Sequence, residues 1–150
     1  MKYQIRPLEE KDIPAIIDGE KEVFGDSLGF DLIYSDIKLN PYAHYLVLDI
    51  DDEVGGYIGL WITEENAEVI NFYIAKRYQC MGFGTILLNF AIDLCQRCNV
   101  DSLSLEVREN NHVARHLYEK HGFIFSHRRE RYYRDGSDAL LLIKKFEVKK

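Results

Sequence analysis

Proline is scarce and confined to one end of the chain. The three among 150 residues are Pro7, Pro14 and Pro41, so no Pro-rich linker divides the sequence and its later two thirds are free to form uninterrupted elements. Long apolar runs are missing too: none approaches the ~18 to 20 residues that span a bilayer. The opening MKYQIRPLEEKD has neither the apolar stretch nor the small-residue cleavage site of a signal peptide. We therefore expect a cytoplasmic protein with no membrane partner. Basic charge is in deficit, with 19 Lys and Arg against 25 Asp and Glu and a net charge of -6. Neutralising phosphates needs the opposite balance, so nucleic acid is not an expected partner, whereas a cationic substrate is. Cysteine is limited to Cys80, Cys95 and Cys98, an odd number that suits reduced thiols. Cys95 and Cys98 form a C-x-x-C, but no second pair of zinc ligands follows. The pair also falls at the end of a helix, not at the start where a redox pair would sit, so both read as small apolar fillers.

What remains is the composition of a globular domain. Apolar residues make up 47% and charged residues 29%, with 10 Tyr and 8 Phe, too hydrophobic for a disordered chain and enough for a substantial core in one domain, residues 1–150. Tyr3-Gln4-Ile5 alternates as a short strand. Asp12 is placed to N-cap a helix whose Ile13, Ile16, Ile17 and Phe24 share a face, with Pro14 tolerated in the first turn. A weaker helix runs from Ser27 to Leu39. His44–Ile50 and Val54–Ile62 read as a hairpin turning at Asp51-Asp52, followed by a third strand over Ala67–Ala75. A second amphipathic helix carries Ile86, Leu87, Phe90, Ala91, Leu94 and Cys95 and ends at Asn99, which tolerates the left-handed conformation. Ser102–Val107 alternates strictly, Asn111 caps a short helix that Gly122 closes, and Phe123–Tyr133 and Ala139–Lys144 form a last strand pair turning at Asp135-Gly136. This order predicts an α/β (α+β) fold: a mixed, mostly antiparallel twisted sheet of about seven strands with about four helices.

Gln79-Cys80-Met81-Gly82-Phe83-Gly84 joins a strand to a helix, presenting free N–H groups and the positive end of the helix dipole, which together bind phosphate. Neither the dinucleotide fingerprint nor the P-loop is spelled, since no third glycine and no lysine follow. The pattern Gln/Arg-x-x-Gly-x-Gly/Ala, met here by Gln79, Gly82 and Gly84, resembles the acetyl-CoA loop of the GNAT acetyltransferases. Ser104-Leu105-Glu106-Val107-Arg108-Glu109-Asn110-Asn111, with Ala114, Leu117-Tyr118-Glu119, Gly122-Phe123, Arg129, Tyr132-Tyr133 and Asp138-Ala139, is similar within that superfamily to the RimI-type ribosomal-protein-alanine N-acetyltransferases. The likeness covers about residues 69 to 145; the N-terminal third fits only the general GNAT plan.

The resemblance implies acetyl-CoA as co-substrate and direct attack of an amine on its thioester, without an acyl-enzyme. It assigns the acetyl and pantetheine portion to backbone groups of Phe72, Tyr73 and Ile74, and the pyrophosphate to the loop Gln79, Cys80, Met81, Gly82, Phe83, Gly84 and Thr85. Asn111 becomes a pantetheine contact, Glu106 the general base and Tyr118 the general acid, while Arg129, Tyr132 and Tyr133 border the acceptor. Elementary chemistry agrees: the amine must lose a proton to a carboxylate, a phenol with a pKa near that of a thiol can protonate the departing thiolate without being acidic enough to protonate the amine, and the oxyanion needs a fixed N–H from Phe72 to Ile74. His112 and His116 stand one helical turn apart with no third ligand in view, so no metal is expected. Two departures touch the pattern. Cys80 and Met81 stand where cationic residues are common, and Phe24 is followed by Gly25-Asp26-Ser27 instead of the Pro-Trp usual in RimI-type enzymes. The resemblance implies the α-amine of a protein or peptide N-terminus as the acceptor, and the second departure falls over that acceptor. A small amine (a polyamine, amino acid or aminoglycoside) is the alternative, and a non-catalytic acyl-CoA-binding module is a third reading. The protein would act as a monomer or homodimer.

Overall fold

The computed structural model describes residues 1–147. Its elements follow the expected order: β1 (Tyr3–Pro7), α1 (Ile13–Phe24), α2 (Phe30–Leu39), β2 (Ala43–Ile50), β3 (Glu53–Ile62), β4 (Asn66–Ile74), α3 (Phe83–Arg97), β5 (Ser102–Arg108), α4 (His112–Lys120), β6 (Ile124–Arg129) and β7 (Ala139–Lys145). The strands form one sheet in the order β1-β2-β3-β4-β5-β7-β6. Every neighbouring pair is antiparallel except β4 with β5. None of the described helices is long and apolar enough to cross a membrane.

Local chemistry explains most of these elements. In β5 the strict alternation buries Leu103, Leu105 and Val107 and leaves Ser104 and Glu106 on the other face. Asp51 and Asp52 both adopt positive φ, 49° and 69°, the two-residue loop whose twist matches a right-handed hairpin. Asn99 turns left-handed at φ 58° just past α3. The sheet is covered on both faces. Leu46, Leu48, Ile58, Leu60, Leu103 and Leu105 meet α3 and α4 on one side, and Tyr45, Val47, Tyr57 and Tyr73 meet α1 and α2 on the other. Each fully buried Leu or Ile there is worth about 1.5–3 kcal/mol.

The structure departs from the sequence expectations at several points. In α3 the buried stripe is Phe83, Leu87, Leu88, Ala91, Ile92 and Cys95. Phe90 is 43% exposed, because a helix apolar on most sides lets packing, not periodicity, choose the inner face. Cys95 fills the core as expected, and burial pushes its thiol up to about 12, but Cys98 is exposed. The α2 helix starts at Phe30, because Ser27 and Leu28 turn inward to bond a buried carboxylate. Phe24 is half-exposed, edge-on to Tyr73. β6 ends at Arg129, and Tyr132 and Tyr133 belong to a loop, not a strand. That loop is folded around Asp138, which accepts the Arg131 N–H, and Asp135, which accepts from Ser137.

Asp12 does not cap α1 with its side chain. A 3₁₀ turn over Glu10–Asp12 precedes the helix, and the Asp12 carboxylate accepts the Glu9 N–H at 2.9 Å and the Arg6 guanidinium at 2.7 and 2.9 Å. Arg6 also bonds Asp49 of β2 at 3.1 Å, so one guanidinium ties β1, β2 and α1 together. The hydrogen bonds from Arg6 hold the Asp12 carboxyl below its ordinary range, against the opposing effect of burial. Asp12→Asn should therefore cost about 2 kcal/mol at neutral pH. The sign of the pH dependence follows from a folded pKa below the unfolded value near 3.9: the contribution is complete above about pH 5 and is lost as pH falls through 3.9 toward the folded value. Thermal melts of the two proteins should converge as pH is lowered; a gap that stays constant would show that the ion pair carries no net stability.

Candidate active site

The site begins where the sheet opens. β4 and β5 pair over three positions only, Asn66 with Ser102, Ala67 with Leu103 and Glu68 with Ser104. Past them Gly59 pairs with Asn71 and Leu60 with Val69, so Ile70 is an extra residue on β4, and such a bulge bends the strand. The two strands part and leave a cleft of about 1060 Å³ between them. The bond from Ala75 N–H to the Gly55 carbonyl fixes the ladder's phase. By antiparallel alternation the backbone groups of Phe72 and Ile74 then point away from β3, toward the gap. Two of these are already engaged: Asn71 Oδ1 accepts the Phe72 N–H at 3.0 Å, and Gln79 Nε2 donates to the Ile74 carbonyl at 2.8 Å. Among the described residues, the Ile74 N–H and Phe72 carbonyl are left facing the cleft.

Two helices begin at the cleft wall. Cys80 and Gly82 turn left-handed, at φ 64° and 87°, and so swing the chain from the β4 side into α3. A glycine suits Gly82 because that conformation costs other residues about 1–2 kcal/mol. The first helical bond runs from Ile86 N–H to the Gly82 carbonyl, so the N–H groups of Phe83, Gly84 and Thr85 have no partner within the helix. Cys80, Gly82, Gly84 and Thr85 line the cleft, as do Lys76 and Lys120. Met81 and Phe83 do not; Met81 is exposed, and the Phe83 ring packs edge-on to Tyr3 and Tyr78 in the core. At the other wall Asn111 lines the cleft while its Oδ1 caps α4 by accepting the Ala114 N–H at 3.2 Å.

Glu106 and Tyr118 line this same cleft. Tyr118 is buried between Phe72 and Phe123, and its hydroxyl makes no hydrogen bond among the described residues. Burial, with Tyr133 as a lesser cause, pushes its phenol above the ordinary value. One Glu106 oxygen, Oε1, lies 3.3 Å from an Arg129 guanidinium nitrogen, and Oε2 has no partner among the described residues. Arg129 does not itself line the cleft; it reaches the site through Glu106 and lies 5.5 Å from the Tyr132 ring centroid. Tyr132 and Tyr133 do line it. Arg108 holds them in place, 3.9 Å from the Tyr133 ring and bonded to Asp135 and Ser137 at 2.9 Å each. No group of three His, Cys, Asp or Glu among the described residues is arranged to hold a metal.

Several lining residues lie outside the motifs that carry the family likeness. Val23, Phe24 and Leu28 come from α1 and the loop after it, and Glu68 and Asn71 from β4. Behind them stands Glu20, completely buried. Its Oε1 accepts from Ser27 Oγ at 2.7 Å and from the Leu28 N–H at 3.2 Å, and its Oε2 accepts from the Tyr57 hydroxyl and Asn71 Nδ2. One signal is available: Glu20 follows Ile13 and Ile16 at helical spacing, a carboxylate on an apolar stripe.

Comparison with known proteins converges on one family. The profile of the acetyltransferase (GNAT) family matches residues 10–123. A candidate ribosomal protein bS18-alanine N-acetyltransferase of Bacillus subtilis is 37% identical over 142 residues, 94% of each chain. An N-alpha-acetyltransferase of Sulfurisphaera tokodaii is 27% identical over 94% of this chain and 92% of its own. The crystal structure of the ribosomal-protein-S18-alanine N-acetyltransferase from Escherichia coli superposes with a TM-score of 0.91 at 26% identity, covering 99% of this chain and 97% of that one. The chain thus belongs to the GNAT family and is an N-acetyltransferase.

Proposed function

We propose that the protein transfers the acetyl group of acetyl-CoA to the free N-terminal α-amine of a protein or peptide, by direct attack of the amine on the thioester. The observation that carries this reading is the meeting, in one cleft, of an open helix N-terminus, the parted β4 backbone, Glu106 and Tyr118. The N–H groups at the start of α3 would receive the pyrophosphate, and Lys76 and Lys120 supply the positive charge that Cys80 and Met81 lack. The pantetheine would lie along Phe72, Tyr73 and Ile74, with Asn111 beside it. The Ile74 N–H, the unengaged donor there, suits the thioester oxyanion. The exposed thiols of Cys80 and Cys98 suit a reducing compartment such as the cytoplasm.

In this mechanism Glu106 Oε2 accepts the amine's proton while Arg129 holds Oε1. Tyr118, its phenol raised by burial, keeps its O–H at neutral pH and donates a hydrogen bond to the departing thiolate. The balance is closed: the C–S bond breaks and a C–N bond forms, the thiolate held by the Tyr118 hydroxyl takes up one proton, from Tyr118 or solvent, and Glu106 releases to solvent the one it took from the amine, so one proton is lost by the amine and one gained by the thiol. The names of the Bacillus and Sulfurisphaera relatives support an N-terminal acceptor, and amine protonation does so independently. An α-amine titrates near 7.7–8.0 and a lysine side chain near 10.4, so at pH 7.4 about a quarter of the first and about 0.1% of the second is neutral. A single carboxylate would face about 3.5 kcal/mol more with lysine, at about 1.36 kcal/mol per pKa unit.

Acetyl-CoA at about 100 times its Kd should add about 2.7 kcal/mol of stability and raise Tm by roughly 5–10 °C. Gly84→Glu, which puts a carboxylate at the pyrophosphate end of the cleft, should remove the rise; a ligand-independent Tm in the wild type would overturn the cofactor reading. With a peptide acceptor, Glu106→Gln should lower the rate about 10²-fold at low pH, and the gap should narrow as pH passes the amine's own pKa. A constant factor across the pH range would make Glu106 a positioning group and not the base. Peptides with a free N-terminus should outperform N-blocked lysine peptides and polyamines; the reverse order would transfer the site to small or side-chain amines.

A further inference from the structure

Glu20 lies on α1, away from the reacting atoms, yet it contacts two walls of the acceptor side at once. Its carboxylate is fully buried, and no Lys, Arg or His among the described residues pairs with it. What satisfies it is a ring of four donors, which matches the capacity of a carboxylate. Two of them, Ser27 Oγ and the Leu28 N–H, belong to the α1–α2 loop, and Ser27 Oγ in turn accepts the Gly29 N–H at 3.1 Å. A third, Asn71 Nδ2, belongs to β4 beside the bulge, and the Tyr57 hydroxyl completes the set. The same Asn71 amide has its oxygen on the Phe72 N–H. A continuous chain of hydrogen bonds therefore runs from the α1–α2 loop through Glu20 and Asn71 to the backbone of the cleft.

We propose that Glu20 and Asn71 are positioning residues that fix Leu28 relative to β4 and so set the shape of the acceptor pocket, while the Phe72 N–H keeps its bond to Asn71 Oδ1. The inference rests on the acetyltransferase reading above and deepens it: neither residue touches the acetyl group, but the wall that receives the amine's neighbouring atoms is built from what they hold. A buried carboxylate left with an unfilled lone pair, or an amide donor turned against another donor, costs far more than a surface bond, so the loop is held in one arrangement.

The polarity of these hydrogen bonds makes the proposal testable. In Glu20→Gln the new Nε2 must face either Asn71 Nδ2 or the Leu28 N–H, and rotating Asn71 to escape only sets its Nδ2 against the Phe72 N–H. Glu20→Gln alone leaves a donor facing a donor, and Asn71→Asp alone leaves two carboxylate oxygens facing each other. The exchanged pair, Glu20→Gln with Asn71→Asp, restores the connection. The amide now at position 20 donates to one oxygen of the carboxylate now at position 71, whose other oxygen accepts the Phe72 N–H, and the Tyr57 hydroxyl can accept where it had donated.

Steady-state kinetics with acetyl-CoA and a lysine-free peptide beginning with alanine, together with calorimetric Kd for acetyl-CoA, separate the outcomes. Glu20→Gln should raise the peptide KM about tenfold, the factor that about 1.4 kcal/mol of lost positioning represents, and leave acetyl-CoA Kd unchanged. The double variant should return the peptide KM toward wild type. Ser27→Ala, at a partly exposed position, removes the loop's side-chain bond to Glu20 and the acceptor of the Gly29 N–H while leaving Glu20 and Asn71 in place, and it should raise the peptide KM even if Glu20→Gln fails to fold. Unchanged peptide KM in both single variants, equal losses of peptide KM and acetyl-CoA Kd, or a double variant no better than Glu20→Gln would each overturn the proposal. A wild-type protein that acetylates no free-amine peptide would instead overturn the functional reading, so the two failures are distinct.

Discussion

A parallel strand pair in an otherwise antiparallel sheet has no hairpin to hold it, and β4 and β5 stay together for three positions only. Everything at the site follows from that parting. A strand inside a sheet spends its backbone groups on both neighbours, but β4 beyond the Ile70 bulge has β3 on one side and open space on the other. Of its outward groups the Phe72 N–H and Ile74 carbonyl are taken by Asn71 and Gln79, and the Ile74 N–H and Phe72 carbonyl are left to receive an extended chain as an added strand would, which is where the proposed function puts pantetheine. The same parting lets Glu106 on β5 face β4 across a gap wide enough for substrate, while Leu103, Leu105 and Val107 on the opposite face keep β5 anchored in the core.

The second constraint is how α1 and α2 are attached. Their face of the sheet is rich in tyrosine, and two buried carboxylates join helix to sheet through those hydroxyls and neighbouring donors. Glu20 takes Tyr57, and Asp36 accepts from the Tyr45 hydroxyl and Trp61 Nε1 at 2.7 Å each. Close approach is part of the design: a Cβ at Gly19 would collide with the Tyr73 ring, which lies against α1. Buried polar groups that are fully satisfied specify one packing arrangement more sharply than an apolar contact does. If α1 and the following loop wall the acceptor pocket, as proposed, that sharpness would fix the pocket.

Legibility in the sequence tracks the kind of interaction. Strand alternation in β5, the Asp51-Asp52 hairpin, the left-handed Asn99 and the order of elements are local, and all are readable. Family likeness singles out residues that share one cleft, Glu106, Tyr118, Tyr132 and Tyr133 among them. Interactions between distant segments are not readable. Nothing near residue 20 announces that Asn71 will sit on it, and nothing near Asp12 announces Arg6 and Asp49. Asp12 reads as a cap because a helix start normally uses its aspartate locally, whereas in the fold an arginine on β1 competes for it. Phe90 reads as core because an all-round apolar helix carries no rotational signal. The Tyr132-Tyr133 segment reads as strand, but Arg131, at φ 53°, breaks it through a bond to Asp138 that only the folded loop supplies.

These differences divide the cleft into two halves built on different principles. On the proposed function the donor half would use backbone: the opening of α3, the outward groups of β4, the cap of α4. Backbone recognition is indifferent to side chains so long as the dihedral angles are kept, which is why Cys80 and Met81 can replace cationic residues without disturbing the turn that Gly82 makes. The acceptor half uses side chains drawn from α1, the α1–α2 loop, β4, β5 and the β6–β7 loop, each held by its own bond: Leu28 by Glu20, Tyr133 by Arg108, Glu106 by Arg129. A substitution there changes shape or charge directly. Divergence of substrate within this fold should therefore accumulate in the acceptor half while the donor half stays recognisable, and the missing Pro-Trp after Phe24, filled here by a loop wrapped around Glu20, is a change of that kind.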